Sequence, residues 1–153
     1  MKKDEDDSDG WIKMAKDWIH NLAKGRSGIE TQSLQHLHSI HAQRGLVRCN
    51  FIVPKSLSDR EGNWHGGAIA TLIDIIGAAA IVTVVGNVNV SVDFSISYFS
   101  TAKIGEEVEI EAKVLGRQGN LSSNMVVIRN KENGELIVAG KQWMSALWYF
   151  LWL

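Results

Sequence analysis

Between Gly66 and Val85 the chain runs for 20 residues with a single ionisable side chain, Asp74, set among Gly, Ala, Ile, Leu, Val and Thr. As a helix this run spans about 30 Å at about 1.5 Å per residue. Apolar residues occupy nearly every angle around it rather than one stripe, so it has to be covered on all sides. A bilayer or a wrapping of β-sheet can do that, and the length alone permits a membrane span. Three features favour the sheet. A mid-helix Asp costs roughly 2.5–3.5 kcal/mol on insertion scales, neither flank carries a Lys/Arg cluster to set an orientation, and strand patterns follow one after another. The carboxylate inside such a rod needs a reason to be there.

With 153 residues and 45% hydrophobic content, the chain makes one globular domain with a real core. Sixteen basic against 17 acidic residues leave no global field to attract nucleic acid or an anionic membrane. An anionic ligand has to be met by a local basic patch. Cys49 is the only cysteine, which excludes an intrachain disulfide and a Cys-based zinc site and suits a reducing compartment. The cytoplasm is expected, with peroxisome or mitochondrion left open. The acidic start, Asp4 to Asp9, is the opposite of a signal or transit sequence, and the end Leu151-Trp152-Leu153 is not a peroxisomal tripeptide.

Residues 1–10 are expected to form a disordered acidic tail. Trp11, Ala15, Trp18 and Leu22, spaced at i, i+4, i+7 and i+11 with Ile12 and Ile19 beside them, predict an amphipathic helix over 11–25. A loop is expected from Gly25 to Thr31. From Ser33 to Pro54 the pattern shortens toward period two, predicting a hairpin broken at Arg44-Gly45. His36 and His38 face one side of such a strand and His41 the other, with no Cys or carboxylate close in sequence, so no metal site is expected. Gly86-Asn87 stops the central helix. Val88, Val90, Val92, Phe94, Ile96 and Tyr98 then alternate strictly with Asn89, Ser91, Asp93, Ser95 and Ser97. A strand over Glu107 to Val114 turns at Arg117-Gln118-Gly119-Asn120 into Leu121 to Arg129, and Lys131-Glu132-Asn133-Gly134 leads to Leu136 to Met144. The order is two strands, one long buried helix and four antiparallel strands. This is an α+β layout with a sheet of about six strands curled around one helix. The domain proper takes 30–145. The apolar tail 146–153 is too short to cross a bilayer and is expected to pack at an oligomer interface, with peripheral membrane contact a lesser alternative.

A helix start presents unpaired N–H groups carrying about half a positive charge, which suits an anion or a developing oxyanion. Gly66 and Gly67 leave that end without side chains, so a carbonyl oxygen can approach. Asp74 lies eight residues on, roughly 12 Å along the axis at about 1.5 Å per residue. One helix therefore cannot serve one substrate with both groups. Two helices packed antiparallel about a two-fold axis can, with residue 66 of one beside residue 74 of the other. A carboxylate aimed at a carbonyl on a helix N-terminus suits acyl transfer, as general base or as nucleophile. The alternative is a buried Asp that caps a backbone group.

The segments His65-Gly66-Gly67, Thr71-Leu72-Ile73-Asp74, Val90-Ser91-Val92-Asp93, Ile96-Ser97-Tyr98 and Ala102-Lys103-Ile104-Gly105-Glu106 together resemble the PaaI-like hotdog-fold acyl-CoA thioesterases, over roughly residues 30 to 145. The resemblance implies a hotdog fold in homodimers that pair into tetramers, and hydrolysis of the thioester of a fatty or aromatic acyl-CoA. No cofactor is expected. The resemblance also implies that the Gly66 N–H polarises the thioester carbonyl, that Asp74 from the partner chain activates water or attacks directly, and that Ser91 helps to place the water. Coenzyme A would meet Tyr98 to Lys103, Ser100 included, and the turn Gly116 to Leu121 with Gly119 and Asn120. There Lys103 and Arg117 either meet phosphates or are simply solvated. His65 orients the loop ahead of Gly67.

Two departures from the family pattern stand out. Where the family branch has an asparagine six residues before His-Gly-Gly, this chain has Asp59, which when ionised cannot donate to the thioester oxygen. Asn63 is a nearer amide, with a turn-forming role as its alternative. Lys141-Gln142-Trp143-Met144 replaces a basic, histidine-containing ending. A second functional reading is therefore a non-catalytic acyl-CoA-binding protein weakened by Asp59. A third, a hotdog dehydratase, needs a catalytic His in place of the Gly-Gly/Asp pairing, and His65 alone supports it poorly.

Overall fold

The computed structural model describes residues 4–26 and 28–146. Its elements are α1 (Asp4–Ala23), α2 (Ile29–Leu34), β1 (Leu37–Gln43), β2 (Leu46–Ile52), a 3-10 turn (Lys55–Leu57), α3 (Gly66–Val85), β3 (Asn89–Tyr98), β4 (Glu107–Gln118), β5 (Leu121–Asn130) and β6 (Leu136–Ala146). The strands form one sheet in the order β1-β2-β4-β5-β6-β3, antiparallel at every pairing. β1 and β3 are its edges.

The sheet curls around α3 because each strand offers one apolar face. Val47, Cys49 and Phe51 of β2, Val108, Ile110 and Ala112 of β4, Val126 and Ile128 of β5 and Ile137 and Val138 of β6 join Ile69, Leu72, Ile73, Ile75 and Ile76 of α3 in one core. Each such aliphatic side chain contributes about 1.5–3 kcal/mol on burial, which covers 12 of the 20 residues of α3. Among the described residues α3 is the one helix long and apolar enough to cross a membrane, and the sheet on one side with α1 and α2 on the other supplies the cover it needs. Burial pushes the Cys49 thiol up to about 12.

The N-terminal helix is longer than its periodicity implies. α1 begins at Asp4, so the stretch from Asp4 is the start of a helix rather than the expected tail. Ala15 and Ile19 of α1 are fully buried. Trp11 reaches the end of α3, where a Cβ on Gly86 would lie 2.5 Å from its indole nitrogen. Gly86 also takes φ 78° as the left-handed cap of α3, so a side chain is excluded there twice over.

α2 replaces the expected loop and the first residues of the expected hairpin. Its six residues are too few to show a helical period, yet Thr31, Ser33 and Leu34 are buried. β3 departs from its strict alternation through a bulge between Ser91 and Asp93. The extra residue shifts the phase of the strand, so Ser91 before the bulge and Ile96 and Tyr98 after it all reach α3. Of the apolar tail, residues 147–153 lie outside the described residues.

Candidate active site

At the head of α3, His65 is the N-cap, and its Nδ1 accepts from the Gly67 N–H at 3.0 Å. The end is therefore less bare than its two glycines imply: the Gly67 amide is taken, while among the described residues the Gly66 N–H has no acceptor. Tyr98 Oη donates to the Gly66 carbonyl at 2.8 Å, which fixes the end of β3 against the helix start. Burial raises the Tyr98 phenol above its ordinary value. A cavity of about 310 Å³ opens beside this end, lined by Leu57, His65, Gly67 and Ala68 together with Ile29 and Ser33 of α2.

The loop before the helix is a tight turn built on Asp59. Its Oδ1 accepts from the amides of Glu61 and Asn63 at 2.8 and 3.0 Å, and its own N–H donates to the Asn63 carbonyl at 2.7 Å. The Asn63 amide above all holds the Asp59 carboxyl below its ordinary value; desolvation opposes it, and the Glu61 amide, the Asn63 side chain and the nearby His65 add to the lowering. Asp59 is thus an ionised turn former, and Asn63 is its partner. A bridge between Asn63 and Lys103 sets Lys103 alongside the same loop.

Halfway along α3, Asp74 meets two side chains from the sheet. Ser91 Oγ on β3 donates to Asp74 Oδ1 at 2.5 Å, and Gln142 Nε2 on β6 donates to the same oxygen at 2.7 Å and to Ser91 Oγ at 3.2 Å. Among the described residues the second oxygen, Oδ2, has no partner. Around the carboxylate lies a cavity of about 280 Å³ whose other walls include Trp18, Glu30, Ile75, Val88 and Met144. Ser91 here spends its proton on Asp74. The sequence marks Gln142 only as part of the departure Lys141-Gln142-Trp143-Met144 and gives it no site role, since an amide inside an apolar strand carries no spacing signal. The buried polar residue opposite a lone helical carboxylate is visible only once β3 and β6 are paired.

The remaining candidates fall elsewhere. Ser100 Oγ donates to Glu135 at 3.1 Å. The stretch Gly116, Arg117, Gly119 and Asn120 is exposed at the far turn of β4 and β5, where Arg117 and Asn120 share a small cavity of about 140 Å³ with Val85, Asn87 and Asn89. That is the C-terminal end of α3. Within one chain, then, the candidates occupy three stations: Asp59, Asn63, His65, Gly66, Gly67, Tyr98 and Lys103 at the head of the helix, Asp74 and Ser91 halfway along, Arg117 and Asn120 at its foot. The histidines of β1 do not converge with further ligands. His38 meets Glu107 at 2.8 Å, a carboxylate that sheet pairing delivers from far along the chain. No cluster of His, Cys, Asp and Glu able to hold a metal occurs among the described residues.

A family model described as thioesterase superfamily matches residues 61–137, from the Asp59 turn through α3 and into β6. Human acyl-coenzyme A thioesterase 13 is 39% identical over 103 residues, which is 67% of this chain and 74% of that protein. The crystal structure of zebrafish thioesterase superfamily member 2 matches with a TM-score of 0.80 at 33% identity, covering 88% of this chain and 96% of the other. PaaI from Escherichia coli matches with a TM-score of 0.72 at 14% identity, covering 92% and 98%, a likeness of fold alone. The helix in its curled antiparallel sheet is the hotdog fold, and the chain belongs to the thioesterase superfamily.

Proposed function

We infer that this protein hydrolyses the thioester of an acyl-CoA to the free acid and coenzyme A, at a site shared between two copies of the chain. The observation that carries the reading is the pair of groups on α3: among the described residues, a Gly66 N–H without an acceptor at its head, and eight residues on a carboxylate with one oxygen held and the other without a partner. The thioester carbonyl rests on the Gly66 N–H, which stabilises the oxyanion as it forms. Asp74 of the second subunit takes a proton from water as the water oxygen attacks the carbonyl carbon. Collapse of the tetrahedral species breaks the C–S bond, and the departing thiolate takes up a proton. The match to human acyl-coenzyme A thioesterase 13 supports coenzyme A as the carrier.

Two copies meet along β3. Its free edge is ten residues long and exposes Val92, Phe94 and Tyr98. Antiparallel pairing there runs the two α3 helices in opposite directions and brings the Gly66 station of one subunit toward the Asp74 station of the other. Arg117 and Lys103 are then available to coenzyme A phosphates, and dimers associate further into tetramers. A cytoplasmic setting agrees with a single, buried cysteine.

Thiol release from a panel of fatty and aromatic acyl-CoAs tests the activity, with Asp74→Ala as the control. The wild type releases thiol and the variant does not. Equal release by both removes Asp74 from the mechanism. One observation favours a binding protein instead: Asp59 is held ionised at the position where a neutral donor would help the thioester oxygen. Calorimetric binding of acyl-CoA without thiol release picks out that reading.

A further inference from the structure

We propose that Gln142 is a positioning residue for Asp74, clamping one carboxylate oxygen so that the other faces the reacting water, and that Gly77 is the gap in α3 that lets it in. The proposal rests on the thioesterase reading for its consequence, though not for its geometry. Gln142 is fully buried on β6, and a buried amide costs free energy unless it is bonded. Its Nε2 has two partners, Asp74 Oδ1 at 2.7 Å and Ser91 Oγ at 3.2 Å, while Ser91 donates to that same Oδ1. Groups from β3, β6 and α3 thus close a small ring on Oδ1. A carboxylate held by two donors on one oxygen cannot rotate without losing both bonds, so the lone pairs of Oδ2 keep one direction.

Space for this arrangement comes from Gly77, one turn along the same face of the helix from Asp74. A Cβ at 77 would lie 2.2 Å from Gln142 Oε1 and 2.8 and 2.9 Å from Asn124 Oδ1 and Nδ2. Asn124, also fully buried, sits opposite Gln142 on β5. Among the described residues, both Gln142 Oε1 and Asn124 Oδ1 are buried without a partner. A pair of apolar side chains would pack under α3 without that penalty, so the amide at 142 is better explained by what it does for Asp74 than by the stability of the core. Of the walls around Asp74, α2 contributes the other titratable group, Glu30, while α1, β3 and β6 present Trp18, Asn89, Ser91 and Met144.

The test compares wild type, Gln142→Met, which keeps the length without a donor, and Gln142→His, which restores one. Carbon-13 carboxyl NMR follows the titration of Asp74 in each. Losing a donor to the charged form disfavours that form, so the Asp74 midpoint in Gln142→Met lies above that of the wild type. With acyl-CoA substrate, the acid limb of kcat/KM moves up by the same amount, kcat falls about tenfold or more and KM holds within about twofold. Gln142→His recovers most of both. An unmoved midpoint and acid limb in Gln142→Met overturn the proposal, since a merely structural amide would change only the melting temperature. Should Gln142→Met fail to fold, the side-chain amide protons of Gln142 in the wild type decide: they shift with the Asp74 midpoint, and pH-independent shifts overturn the assignment. If the wild type releases no thiol, the thioesterase reading falls, and the NMR comparison still decides the placement of Gln142.

Discussion

At one edge of the sheet β1 is seven residues long, is broken by a bulge between His38 and His41 with Ser39 forced to φ 53°, and is tied down by His38 against Glu107, which Lys131 also reaches. At the opposite edge β3 runs ten residues, exposes Val92, Phe94 and Tyr98, and keeps its one bulge toward the start of the strand. Short, bulged and charged edges resist a further strand, whereas a long apolar edge accepts one. The residues with chemistry follow this asymmetry. Ser91 and Tyr98 lie on β3 and touch Asp74 and Gly66, while the histidines of β1 touch no candidate site residue. The open edge and the site are one region, and the closed edge belongs to the fold alone.

The contrast breaks most sharply at Asp74. Asp74→Ala lowers kcat by about a hundredfold or more, the range general-base catalysis commands, with the thermal midpoint little changed. Steady-state thiol release with a parallel melt checks this. Next in size is the open edge itself. Val92→Lys with Ser95→Lys places like charges opposite one another across a two-fold strand pair, so sedimentation shows monomer and kcat/KM falls about tenfold or more. His41→Lys on β1 does neither, and if it dissociates the protein just as well the asymmetry of the edges is wrong.

Asp59→Asn is smaller and of opposite sign. Asparagine keeps the acceptor that the Glu61 and Asn63 amides use and adds a donor where the family resemblance places the thioester oxygen, so kcat rises by about threefold to tenfold, within what one added hydrogen bond supplies. A fall would mean that the turn needs its charge.

The smallest effect is at the closed edge. The hydrogen bond from His38 first, then that from Lys131, holds the Glu107 carboxyl below its ordinary value of 4.5. A depressed folded value stabilises above the unfolded one, and the gain is lost as pH falls through the folded value. Glu107→Gln therefore lowers the melting temperature slightly at pH 7, the difference fades under acid conditions, and activity is untouched.

Much of this was legible in the sequence because period two and uninterrupted apolarity are strong signals. The stretch Gly66–Val85 could only be a fully covered helix, and Glu107 to Val114 could only be a half-wet strand. What escaped lacks periodicity. α2 is six residues long, a bulge adds one residue to a strand without changing its composition, and Gln142 acquires meaning only from its neighbours across two strand pairings. Asp59 stands out in the sequence as a departure from the family pattern. Its service to the turn, through the amides of Glu61 and Asn63, depends on a loop geometry that composition does not specify.

The claim that one subunit's Gly66 works with the other's Asp74 is tested most directly by complementation. Gly66→Pro removes the N–H at a helix position that tolerates proline, and Asp74→Ala removes the base, so each homodimer is inactive. A purified heterodimer of the two carries both lesions in one site and none in the other, and should recover about half the wild-type activity per dimer. A heterodimer as inactive as its parents would mean that each subunit uses its own pair, which contradicts the account.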